Sequence, residues 1–177
     1  MSLAITIKTK PTTRRTSIFF DKLTSTEIPS VLSIEERNSD YPWSQHQFTT
    51  SIENNGNLCY SLSQNDKTIG YLIALLAGDT ADILNIGIDH DFQRKGYATG
   101  LLNHLIEELR KRDIGEIFLE VRAGNKSAIQ FYKRQGFEEI SVRKNYYTKN
   151  SKNQSHREDG IIMSIKISST KKNKNAL

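Results

Sequence analysis

The sequence predicts one mixed α/β domain with a central sheet of about six to seven strands and about four helices. Three observations carry that prediction. Strand-like runs separated by tight turns fill residues 58–89. The basic, glycine-bearing run Gln93-Arg94-Lys95-Gly96-Tyr97-Ala98 then opens a helical repeat of leucines, and a strand, a helix and two more strands follow. Patterns that switch between period 2 and period 3.6 in this way pack helices against a sheet.

The elements follow in order. Residues 17–23 alternate and read as a strand, with Ser25 or Thr26 as the N-cap of a helix to about Arg37. Pro42-Trp43-Ser44, with Gln47 three residues after Ser44, is a capping-box pattern that opens a short helix ending near Asn54-Asn55-Gly56. Residues 58–63 and 68–77 form a hairpin around Asn65-Asp66, and Gly78-Asp79 turns into a third strand at 81–89. Leu101, Leu102, Leu105, Ile106 and Leu109 then recur at helical spacing, with charged residues mostly opposite, so this helix covers the sheet. Residues 115–122 form a strand and 125–135 an amphipathic helix stopped by Gly136. Residues 137–147 and 160–167 form the last two strands, joined through a polar linker at 149–156.

Composition narrows the function classes. At 177 residues and 36% hydrophobic, the chain supports one core. The formal charge of +5 points to nucleic acid only until its distribution is read. Between Leu23 and Ile165 there are 16 basic and 19 acidic residues, so the basicity belongs to the ends, and no direct nucleic-acid contact is expected beyond those ends. Residues 1–16 and 168–177 are expected to be disordered basic tails around a domain at 17–167. No run approaches a membrane span and the N-terminus lacks an apolar signal core, so a soluble, cytoplasmic protein is expected. Cys59 excludes an internal disulfide and reads as a buried structural thiol. His46, His90, His104 and His156 lack metal-ligand spacing, so no metal is expected.

The loop at 93–98 has a chemistry of its own. The first N–H groups of a helix have no intrahelical partner and the helix dipole adds partial positive charge, so backbone donors around Gly96 converge on phosphate. Together with Asn125-x-x-Ala128-x-x-x-Tyr132-x-x-x-Gly136-Phe137, the loop and the order of elements resemble the GCN5-related N-acetyltransferases (GNAT). Within that superfamily the chain resembles the bacterial ribosomal-protein-alanine N-acetyltransferase (RimI) family. The finer match rests on Tyr41-Pro42-Trp43-Ser44, Asn85-Ile86-Gly87-Ile88, Leu119-Glu120-Val121-Arg122, Arg143-Lys144-Asn145-Tyr146-Tyr147 and Arg157-Glu158-Asp159-Gly160-Ile161-Ile162-Met163.

The resemblance implies a GNAT fold and acetyl transfer from acetyl-CoA to the N-terminal amine of a ribosomal protein. It implies that Ile86, Gly87, Ile88, Arg94, Lys95, Gly96, Tyr97, Ala98, Thr99 and Asn125 bind the cofactor. A backbone N–H from a bulged strand, that of Ile88, would meet the thioester carbonyl. Glu120 stands in an otherwise apolar strand, where a salt bridge to Arg122 or to a neighbouring strand is the ordinary reading. The resemblance makes it the proton acceptor. Asn125 and Tyr132 share one helix face; Asn125 also reads as an N-cap and Tyr132 as a half-buried aromatic. The resemblance gives Tyr132 the role of proton donor to the departing thiolate. Trp43, Tyr146 and Tyr147 are candidates for the peptide channel, with core packing as the competing reading, and Glu35, Glu36 and Asp40 flank it as possible seats for basic residues. A small amine, such as a polyamine or an antibiotic, is the alternative acceptor, and a non-catalytic acyl-CoA sensor the alternative class.

Overall fold

A computed structural model describes residues 17–151 and 154–168, and of 149–151 and 154–156 the backbone alone. The expected tails at 1–16 and 168–177 lie outside the described residues except for Ser168.

Seven strands and four helices form in the expected order: β1 (Ile18–Lys22), α1 (Ile28–Asn38), α2 (Gln45–Glu53), β2 (Asn57–Gln64), β3 (Lys67–Ala77), β4 (Thr80–Ile88), α3 (Tyr97–Lys111), β5 (Glu116–Arg122), α4 (Lys126–Arg134), β6 (Glu138–Ser151) and β7 (Gln154–Lys166). The cap of the first helical segment is Thr24 rather than Ser25 or Thr26. Thr24 and Glu27 close a capping box over a 3-10 turn at Ser25–Glu27, and Pro29 then sits in the first turn of α1, where its missing N–H costs nothing. The Ser44 box is present, with the Ser44 hydroxyl accepting from the N–H of Gln47. Left-handed residues make the turns: Asn65 (φ 49) and Asp66 (φ 64) between β2 and β3, Gly78 (φ 65) before β4, and Gly136 (φ 91) after α4.

The strand order is β1-β2-β3-β4-β5-β7-β6. All neighbours run antiparallel except β4 and β5, which the crossover through α3 makes parallel. The polar segment 149–156 is not a linker. Its described residues, 149–151 and 154–156, continue both strands of the last hairpin, with Lys149 opposite His156 and Ser151 opposite Gln154. A two-stranded ribbon can run past the body of a sheet on backbone hydrogen bonds alone, so it needs no apolar pattern to announce it.

The alternation of β3 divides the core. Leu72 and Ala74 face α3 and its buried Leu101, Leu102, Leu105 and Leu109, while Tyr71 and Ile73 face Val31, Ile34 and Phe48 of α1 and α2. Burying each leucine contributes about 1.5–3 kcal/mol. Cys59 belongs to the α1/α2 side, and burial pushes its thiol up to about 11. An alkylating reagent at pH 8 is therefore expected to label native Cys59 at least about a hundredfold more slowly than the unfolded chain, because the thiolate is scarce and covered. Mass spectrometry of timed, quenched samples checks this.

Candidate active site

The site begins where the sheet parts. β4 and β5 pair from Thr80↔Glu116 to Ile83↔Leu119 and no further. Beyond that point a cavity of about 940 Å³ opens, lined by residues 84–88 of β4, 120–122 of β5, the first turn of α3 and one face of α4. The β4 register shifts opposite Ile73 and Ala74, which leaves Leu84 as the extra residue of a bulge. The bulge thus lies four residues before Ile88.

Backbone groups of β4 still face the opening. Asp89 donates to the Ile69 carbonyl, and in an antiparallel ladder every second residue turns its own groups away from its partner strand. Ile88 and Ile86 are those residues. The outward turn is visible in the Ile88 carbonyl, which accepts from the side chains of Asn38 (2.8 Å) and Gln93 (3.1 Å). Gly87, between them, has the Tyr71 ring and hydroxyl 2.6–2.8 Å from where a Cβ would stand, so any larger residue there has to displace the buried Tyr71.

At the start of α3 the chain turns through two left-handed residues, Arg94 (φ 57) and Gly96 (φ 86), and Gly96 caps the helix without a side chain. The N–H groups of Tyr97, Ala98 and Thr99 begin the helix, and these residues line the cavity with Arg94 and Gly96. This open donor cradle fits a pyrophosphate. Lys95 does not join it: its ammonium donates to the Asp91 carbonyl at 2.8 Å and lies over the Phe92 ring. A Cβ on Gly96 would meet nothing within 4 Å, so Gly96→Ala acts through φ alone. The variant is expected to lose about 1 kcal/mol of stability and to bind coenzyme A about three- to tenfold more weakly, as calorimetry would show.

α4 supplies two groups. The Asn125 side chain accepts from the Ala128 N–H at 3.0 Å, so it caps the helix while lining the cavity. Tyr132 lies two turns on, 6% exposed, with its ring 5.1 Å from Phe131 and 5.4 Å from Phe137. Burial raises its phenol well above the ordinary value, which keeps it protonated.

Glu120 is the first residue of β5 past the parting. Its Oε2 accepts from Arg143 Nη1 at 2.8 Å, so the ion pair forms with β6 rather than with Arg122. Tyr147 lies against the same carboxylate, and burial, then that contact, raise its phenol. Gly160 of β7 makes room: a Cβ there would stand 3.1 Å from Glu120 Oε1 and 3.2 Å from the Tyr147 ring. Arg122 faces elsewhere, between the rings of Tyr41 and Tyr147 at 4.0 Å from each, with Glu158 at 3.6 Å.

Of the channel candidates, Trp43 and Tyr147 line the cavity. Tyr146 does not; it is 45% exposed and stacks under the Arg143 guanidinium at 3.4 Å. Glu36 and Asp40 line a second, smaller cavity of about 390 Å³ beside Arg122. Glu35 separates from them, buried at 5% exposure in the wall of the main cavity. Spacing carries a signal for this, since 28, 31 and 35 fall on the buried face of α1. Tyr71, Asn85 and Gly160 join the site through contacts with Glu35 and Glu120 that no sequence spacing announces. Among the described residues, no helix is long and apolar enough to cross a membrane, and no group of three or more His, Cys, Asp or Glu is placed to hold a metal ion.

Comparison with known proteins bears on the family and the fold. Residues 28–137 match the model of the acetyltransferase (GNAT) family. The [ribosomal protein bS18]-alanine N-acetyltransferase of Escherichia coli strain K12 is 40% identical over 146 residues, covering 82% of this chain and 95% of that protein. The Haemophilus ducreyi protein of the same name is 35% identical, covering 76% and 90%. The crystal structure of the ribosomal-protein-S18-alanine N-acetyltransferase from Escherichia coli superposes with a TM-score of 0.79 at 37% identity, covering 90% of this chain and all of that one. Arabidopsis thaliana NAA60 in complex with acetyl-CoA, at 17% identity and a TM-score of 0.73 over 85% and 99% of the two chains, shares the fold.

Proposed function

Because the chain belongs to the acetyltransferase (GNAT) family, we propose that it transfers the acetyl group of acetyl-CoA to the N-terminal alanine of a small-subunit ribosomal protein, in the cytoplasm, through a domain at 17–167. The observation that carries this reading is the meeting of Glu120 and Tyr132 in one cavity, at the point where β4 and β5 part. A protein that merely bound an acyl-CoA would need neither.

The proposed roles follow from the groups each residue offers. The first turn of α3 receives the pyrophosphate, and the outward backbone of Ile86 and Ile88 takes the arm that leads to the thioester. Acetyl-CoA supplies the activated acyl carbon. Glu120 takes a proton from the acceptor's ammonium, so that its nitrogen can form the new N–C bond as the C–S bond breaks. Tyr132 gives its hydroxyl proton, or a hydrogen bond, to the departing sulfur. An α-amine with a pKa near 8 is already about one-tenth neutral at pH 7, whereas a lysine amine near 10.4 is below about a thousandth, so the N-terminus is the easier nucleophile.

Two assays test the proposal. Acetyl transfer to a short alanine-first peptide of a ribosomal protein is compared with transfer to spermidine, and intact masses of ribosomal proteins are compared between cells with and without the gene. Preferential transfer to the peptide, and one protein lighter by about one acetyl group in the deletion, are expected. Preference for spermidine would sink the ribosomal acceptor, and cofactor binding without any transfer would leave a binding module.

A further inference from the structure

Two carboxylates are buried among the described residues, and the fold treats them differently. Asp89 lies between Arg37 at 3.0 Å and Lys67 at 3.2 Å, so its charge is balanced within the protein. Glu35 makes no ion pair among the described residues. Its Oε1 accepts from the Trp43 backbone N–H at 3.1 Å and the Asn85 amide at 3.3 Å, and its Oε2 accepts from the Tyr71 hydroxyl. All three partners are donors, which accommodates the side chain as an acceptor-only carboxylate. A buried charge without a counter-charge is costly, and this one stands in the wall of the reaction cavity.

Its place in the fold says what the missing charge is. Asn85 lies two residues past Ile83, the last β4 residue paired with β5, and Glu120 lies one past Leu119, the partner of Ile83. Glu35, held by Asn85, therefore stands on the β4 side of the parting and Glu120 on the β5 side. Trp43, fixed through its backbone by Glu35, brings the loop between α1 and α2 to the same place.

Resting on the acceptor reading above, we propose that Glu35 binds the α-ammonium of the acceptor. The substrate supplies the cation that the protein omits, and its charge is satisfied on arrival by Glu35 before Glu120 takes the proton. Three donors take three of the about four acceptor sites of the Glu35 carboxylate, which leaves one for the ammonium. Glu35 is thus a binding and positioning residue for one charged group, and a neutral N-terminus gains nothing from it.

The test pairs a protein change with a ligand change. With coenzyme A present, dissociation constants are measured for an alanine-first peptide and for the same peptide with propionyl in place of alanyl, which lacks only the α-amine. Glu35→Gln keeps the size of the side chain and an acceptor for the Trp43 N–H. The expected result is that the amine peptide binds the variant about tenfold or more weakly than the wild type, while the des-amino peptide binds both equally. Equal weakening of both peptides, or of neither, overturns the proposal and leaves Glu35 a structural support for the loop. A second measurement, on the wild type alone, holds even if the variant does not fold. Affinity for the amine peptide should fall as pH rises through about 8, where the amine loses its proton, and affinity for the des-amino peptide should stay flat. Parallel pH profiles overturn the proposal as well. Wild-type transfer to the amine peptide, run alongside, separates the two claims: transfer with the wrong binding pattern removes only the role of Glu35, and no transfer removes the acceptor reading and this role with it.

Discussion

Glu120→Gln is expected to lower kcat for an alanine-first peptide by about two to three orders of magnitude, in line with the loss of a positioned general base. The dissociation constant of acetyl-CoA should stay within about twofold, because Glu120 lies on β5 while the proposed pyrophosphate seat is the start of α3 across the cavity. Stability should change little. Arg143 is 46% exposed, so solvent screens this ion pair and its loss costs little, and the amide keeps the shape that Gly160 makes room for. The deficit should also shrink between pH 7 and 9, since a growing share of the α-amine arrives deprotonated and no longer needs a base. Steady-state kinetics across that range, with a thermal melt as the control, decide the matter. Wild-type turnover at pH 7 would remove Glu120 from the mechanism.

Tyr132→Phe should lower kcat by about ten- to a hundredfold and leave both substrate affinities nearly unchanged, because only the hydroxyl is lost from a ring packed on Phe131 and Phe137. Burial sharpens this expectation. A phenol with an ordinary pKa near 10 is already a weak acid beside a thiolate near 8.5, and burial raises it further. Complete proton transfer is therefore uphill, and a hydrogen bond to the developing thiolate carries much of the effect. The sign of the shift gives a second test: a group raised by burial holds its proton across the working range, so wild-type activity should show no loss from Tyr132 ionisation below about pH 10. An alkaline limb that disappears in Tyr132→Phe would contradict this. Unchanged turnover in both variants would remove the mechanism and leave the fold intact.

Local patterns made most of the architecture legible. The leucine repeat of α3, the Ser44 box with Gln47, the Asn65-Asp66 turn and the Gly136 stop each depend on residues a few positions apart, so the chain displays them directly. What stayed hidden depends on sheet order. β7 inserts between β5 and β6, and this places Gly160 opposite both Arg122 and Arg143, beside Glu120. No spacing announces that Arg143 will meet Glu120 across an intervening strand. The separation of Glu35 from Glu36 is an intermediate case: helical periodicity turns one inward and the other out, but only the packing of α1 on β3 and β4 shows that the inward one borders the cavity. Lys95 and Tyr146 make the complementary point. Their neighbours line the cavity, and a reading by motif carries them along although their side chains turn to Phe92 and Arg143.

The parting of β4 and β5 has a consequence for self-association. A strand edge with free N–H and C=O groups invites pairing with another chain, and proteins commonly protect such edges. Here the two edges lie inside one sheet, and the opening between them is walled by α1, the start of α3 and α4. Under the proposed function, a slender arm with amide groups of its own, as in pantetheine, would pair there as a strand does. The sheet edge that would otherwise invite another chain is then the one the ligand uses.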